Sequence, residues 1–165
     1  MRREMRGLVL RVTGEVVVRG LHKFFNLGQL KETRVHALRS VGIDEVTEKL
    51  DGQMIVGVLV DEGVVFWSRK GLTPVGVTAG RVAGADGGDF DGLVRAVHSR
   101  GATATFEFVG YQSRIKSDEG KDPRLILTAI RDHISGQYWR HEALAELAQF
   151  HRVVVVKRMR ELEVL

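Results

Sequence analysis

A chain of 165 residues, 44% of them hydrophobic, is long enough to bury the core of one domain and short for several. The absence of cysteine excludes disulfide frameworks, thiolate zinc sites and covalent chemistry through sulfur, and no apolar run approaches the roughly 20 residues that cross a bilayer, so no membrane is expected. The formal charge of +4 and isoelectric point near 9.7 admit an anionic partner without demanding one.

The opening "MRREMRG" is charged but leads into no apolar signal segment, so the cytoplasm is the expected location. In "RGLVLRVTGEVVVRG" two valine-rich runs flank Thr13-Gly14-Glu15, which predicts a hairpin. "LGQLKETRVHALRS" sets Leu27, Leu30, Val35 and Leu38 near helical spacing, with Gly42 as its stop. The runs "DEVTEKLDG", "QMIVGVLVDEG" and "VVFWSRKG", divided at Asp51-Gly52 and at Asp61-Glu62-Gly63, read as an antiparallel meander. "AGRVAGADGGD" reads as a mobile glycine-rich loop, and "FDGLVRAVHSR" as a helix capped by Asp89. "ATATFEFVG" and "RLILTAIRD" are strands on either side of the polar "YQSRIKSDEGKDP"; "HEALAELAQF" is a helix and "RVVVVKR" a last strand. The whole is one α+β domain over residues 1–165, antiparallel sheets with flanking helices.

Lys49 stands two residues before the turn dipeptide Asp51-Gly52. A lysine amine attacks only when neutral, and at a reference pKa near 10.4 only about one in a thousand is neutral around pH 7.4. Burial against a sheet and neighbouring cations can lower that pKa by about 3 units, roughly 4 kcal/mol. Gly52 allows a sharp turn and close approach of the backbone to a ligand, and the Asp51 carboxylate can orient the amine or the turn. In "FEF", strand alternation turns Glu107 to the face opposite Phe106 and Phe108.

Four segments in order, "MRGLVL", "GLHKFFN", "EKLDGQ" and "FEFVGYQSRI", with "WSRKG" between the last two, resemble the covalent nucleotidyltransferase family. The likeness is specifically to the adenylyltransferase domain of phage T4-type RNA ligases and related tRNA ligases, and it covers the chain up to Ile115. It implies an ATP-grasp-like adenylation fold in which Lys49 attacks the α-phosphorus of ATP and expels pyrophosphate. AMP then passes to the 5′-phosphate of an RNA end that is sealed to a 3′-hydroxyl. Arg6, Lys23 and Lys70, with Arg69 as rival to Lys70, would neutralise the triphosphate together with Mg2+. Glu107 would accept from ribose hydroxyls, and Phe25 would pack beside the nucleotide.

The family also supplies a second glutamate for metal and a terminal lysine pair, and neither is matched here, so a chain truncated relative to the family is expected. "DEGVV" (Asp61 to Val65) sits where a hairpin turn belongs, "SDEGK" (Glu119-Gly120) follows Glu107 too soon, and "VVVVKRMR" has no Glu-Gly motif before it. Gln53 replaces the usual serine, and "GYQSRI" lacks the usual Pro and Asn. The six histidines have no metal-ligand spacing, and "DGGDFDG" lacks the spacing of a calcium loop. Two alternatives stand beside the RNA ligase reading: another lysine nucleotidyltransferase, such as a DNA ligase or capping enzyme, and a nucleotide- or RNA-binding module that does not complete catalysis. The basic runs at the two ends could hold an RNA backbone in either case.

Overall fold

The computed structural model describes residues 7–41, 43–110 and 122–159. The first hairpin forms as expected: β1 (Val9–Leu10) pairs antiparallel with β2 (Val16–Val18), and Gly14, at φ 87°, takes the left-handed turn position that glycine tolerates best. The helix expected from residue 27 is split. A 3-10 turn (Lys31–Thr33) is followed by extended Arg34, and only Val35–Val41 is α-helical (α1), with no buried residue. Gly42 lies outside the described residues.

The main sheet is four-stranded and antiparallel, in the order β4-β3-β5-β6. β3 (Gln53–Val60) and β4 (Gly63–Ser68) are joined by Asp61 and Glu62, with Asp61 at φ 51°, so "DEGVV" is the turn the sequence predicts. β5 (Ala102–Val109) is central and β6 (Arg124–Asp132) forms the far edge.

Two expected strands do not form. Residues 44–52 and 152–158 make only isolated bridges, Thr47 with Arg158 and Val155 with Leu127. In the second run the deeply buried residues are Val153 and Val156, three apart, while Val154 is half exposed. That spacing is not the period of two a pleated strand requires.

Helices cover one face of the sheet. The expected loop at residues 79–89 is largely helix instead: α2 (Pro74–Ala85) begins at Thr73, whose hydroxyl accepts from the Gly76 amide, with Pro74 in the first turn. Its small residues let it lie close on β4; a Cβ at Gly76 would collide with the Phe66 carbonyl oxygen. α3 (Phe90–His98) is capped by Asp89 as expected, and α4 (His141–Phe150) buries Leu144 and Ala148. These helices enclose Ile55, Phe106, Phe108, Leu125 and Leu127. The opposite face carries a smaller cluster of Val18, Val56 and Val58, with Val9 and Trp67 from the first hairpin and β4, and is crossed by irregular chain.

Asp89 also accepts from His151 Nδ1 at 2.9 Å, tying α3 to the end of α4. The His151 bond first, then the Gly92 amide, hold this carboxyl below its usual value of 3.8. A depressed carboxyl contributes stability that is whole above the unfolded value and vanishes as pH falls through the folded one. The melting temperature should therefore decline on acidification below about pH 4. Asp89→Asn, which keeps the cap, should flatten that limb; an unchanged slope would show that the pair carries none of it.

Candidate functional site

β5 is paired on both sides, so its side chains stand in the middle of the sheet. Phe106 and Phe108 are fully buried among the helices, whereas Thr103, Thr105 and Glu107 face the other way, as the alternation predicts. Glu107 is half-buried and lies opposite Met54 of β3 and Ile126 of β6.

Gly52 lies directly against this carboxylate's strand. A Cβ there would sit 2.9 Å from the Phe108 carbonyl carbon and 3.2 Å from Glu107 Cγ, so the close approach requires glycine. The chain just upstream is pinned elsewhere. Glu45 accepts from the His141 amide at 3.0 Å, Met159 N donates to Val46 O at 2.8 Å, and Glu48 N donates to Lys157 O at 2.9 Å. Leu50 packs on Val109, Ile126 and Val156. Lys49 is thus held in a short corner fixed at both ends, and Asp51 is half-buried beside it. The lysine itself is exposed, so the expected burial against the sheet is not found: it sits on the corner outside the strands. The run "VVVVKRMR", set aside on sequence order, supplies the segment that lies antiparallel to this corner.

The other expected site segments reach the same face. Arg6 lies outside the described residues, but a Cβ at its neighbour Gly7 would be 3.7 Å from Met54 Cε and 3.9 Å from Arg69 Cα. Gly7 therefore joins the residue paired with Glu107 to the Arg69–Lys70 turn. That turn is closed by reciprocal Ser68 and Gly71 backbone bonds of 2.9 and 3.0 Å, and Lys70 is exposed on it. Residues 19–26 cross the face as an irregular strap. Arg19 N donates to Thr103 Oγ1 at 3.0 Å, and a Cβ at Gly20 would be 3.3 Å from Val56 Cγ1 and 3.9 Å from Met54 Cε. Further along the strap, exposed Lys23 places Nζ 5.1 Å from the centre of the half-buried Phe25 ring.

The structure accordingly brings Gly52 against Glu107 and draws Gly7, the strap and the Arg69–Lys70 turn together around Met54. Sequence reasoning missed the groups that hold the strap: Arg131, Tyr138 and His22. Arg131 had a signal, a guanidinium inside the apolar run "RLILTAIRD", and it is 4% exposed. Thr105 was also missed; its buried hydroxyl, on the Glu107 face, has no hydrogen-bond partner among the described residues.

Those residues contain no group of three or more His, Asp or Glu able to cage a metal. Magnesium is usually held by one or two carboxylates plus substrate phosphates, a mode that needs no such cage. No helix among the described residues is long and apolar enough to cross a membrane.

A family model described as RNA ligase matches residues 4–163. A Thermovibrio ammonificans protein provisionally named an RNA ligase is 30% identical over 164 residues, 99% of this chain and 43% of that protein. Among solved structures, an RNA ligase variant from Naegleria gruberi with ATP and manganese is similar at TM-score 0.53 and 19% identity, over 70% of this chain and 35% of that one. The same ligase with pyrophosphate gives 0.53 at 18% identity, over 70% and 36%. The chain spans less than half the length of these relatives, and the likeness to the solved structures, at 18 and 19% identity, attests the fold.

Proposed function

The chain belongs to the RNA ligase family, and from that premise we propose that it is the adenylyltransferase core of an ATP-dependent RNA ligase. The observation that carries the reading is the contact of Gly52 with the Glu107 strand, which fixes the Lys49 corner beside the one half-buried carboxylate of β5. Lys49 Nζ attacks the α-phosphorus; the N–P bond forms, the bond from Pα to the bridging oxygen breaks, pyrophosphate leaves and the amine gives its proton to solvent. AMP then passes to an RNA 5′-phosphate, from which a 3′-hydroxyl displaces it.

With Lys49 exposed, its activation falls to the cations that gather around the bound nucleotide: Lys23, Lys70 and Arg6, with magnesium neutralising the negative charge of the phosphates. Glu107 accepts from ribose hydroxyls, and Phe25 borders the nucleotide. The Naegleria ligase, solved with ATP and manganese and with pyrophosphate, supports a nucleotide and a divalent cation as ligands. RNA ends are the proposed acceptor and the cytoplasm the proposed location. The exposure of Lys49 favours one competing reading, a module that binds nucleotide or RNA without completing transfer.

ATP labelled at the α-phosphate, incubated with magnesium and the chain, separates the two. Label that survives a denaturing gel is expected, stronger than with labelled GTP or NAD; ATP binding with no retained label would leave the binding module. Glu107→Gln should raise the ATP requirement about 10- to 150-fold, the range for losing hydrogen bonds to a charged acceptor. An unchanged requirement would remove Glu107 from the ribose.

A further inference from the structure

The strap that carries Lys23 and Phe25 belongs to no sheet or helix, and side chains from the β6 end of the sheet reach it. Arg131, buried on β6, donates Nη1 to the Gly20 carbonyl at 3.2 Å and Nε to the Gly136 carbonyl at 2.8 Å. Its guanidinium lies 5.0 Å from the centre of the Tyr138 ring. The Tyr138 hydroxyl oxygen accepts from the His22 amide at 3.1 Å and lies 2.7 Å from His22 Nδ1. On the far side, Asn26 N donates to Gln29 Oε1 at 2.9 Å. Lys23 is therefore one residue from the double anchor at His22 and three from the Asn26 bond.

The anchoring body is stiff. Asp132 Oδ1 accepts from the Ile134 amide at 3.0 Å and from the Ser135 amide and hydroxyl at 2.7 and 2.8 Å, and Tyr138 bridges back to Arg131 across this loop. Arg19 donates Nη1 to the His133 and Ile134 carbonyls at 2.7 and 3.1 Å, clamping the start of the strap to the same loop.

We propose that Arg131 and Tyr138 are positioning residues for nucleotide binding: they hold His22, and through it Lys23 and Phe25, in place over the Glu107 face, and so set affinity for the triphosphate of ATP. The inference rests on the proposed ATP site. It assigns to the loop after β6 a role that sequence spacing conceals, because His22 and Tyr138 are 116 residues apart.

Tyr138→Phe tests it with little perturbation, since the ring stays on Arg131 and only the hydroxyl is lost. The melting temperature should hold within a few degrees while the Kd for ATP, measured by calorimetry with magnesium present in the Lys49→Ala background, where no AMP is transferred, rises roughly tenfold. Lys23→Ala should weaken ATP comparably, and the double variant should be little worse than either single one, because both remove the same contact. Additive losses, or an unchanged Kd in Tyr138→Phe, would overturn the proposal. Because binding is read without transfer, a wild-type chain that binds ATP yet takes no label would reject the catalytic reading and leave this one intact; a wild-type chain that binds no ATP would reject both.

Discussion

Lys49→Ala is expected to abolish protein-bound AMP altogether while leaving the melting temperature and ATP binding nearly unchanged. Lys49 is exposed, and its corner is set by backbone bonds at Val46 and Glu48 and by Gly52, none of which involve the lysine side chain. Surface substitutions of that kind shift stability by about 0.5 kcal/mol or less. The phosphoramidate has no other origin if this amine is the nucleophile, so the loss should be total rather than graded. Lys49→Arg should be equally inactive despite keeping the charge, because a guanidinium does not give up its proton in proteins and cannot attack. A denaturing gel after incubation with α-labelled ATP reads both variants. A labelled band that persists in either would move the nucleophile elsewhere.

The exposure of Lys49 also shows where sequence reading reached its limit. The strands β3, β4, β5 and β6 and the helices α3 and α4 were legible because each has its own period: alternation in "ATATFEFV", a capped amphipathic run in "FDGLVRAVH". α2 was hidden behind its glycines, which suggest a loop until β4 is there to pack on. Gly76 is a packing residue against Phe66, and the cap at Thr73 lies outside the glycine-rich stretch that drew the eye. The valines of 153–156 misled in the opposite way: β-branched residues favour a strand, but here Val153 and Val156 are buried three apart and the run makes only isolated bridges.

The candidate site divides along the same line. The Gly52–Glu107 approach was legible as two motifs, yet the Lys49 corner's second tether, to Val46 and Glu48 from the C-terminal run, depends on a pairing more than 100 residues long in sequence, which no local pattern encodes. The strap anchors are of the same kind. Tyr138 reads as an unremarkable loop tyrosine until the fold sets it beneath His22.

Gly52→Ala should damage both stability and transfer, for a reason distinct from the usual glycine penalty. Gly52 does not have a left-handed φ, so the backbone conformation itself is open to alanine; the obstacle is space. The added Cβ would press on the Phe108 carbonyl and Glu107 Cγ, and a backbone carbonyl at the centre of the sheet cannot move aside without straining the pairing of Gln53 with Phe108. The corner must lift instead. Overpacking of this sort costs about 1–3 kcal/mol, which in a domain of this size lowers the melting temperature by roughly 2–12 °C. Since a displacement near 1 Å can cost about a hundredfold in a reaction governed by positioning, lysyl-AMP formation should fall at least that far. Gly84→Ala is the control: nothing lies within 4 Å of its Cβ, it is on the exposed side of α2, and alanine there should leave labelling intact and stabilise by up to about 1 kcal/mol. If Gly52→Ala melts and labels like Gly84→Ala, the close approach of the Lys49 corner to the Glu107 strand is not what organises this site.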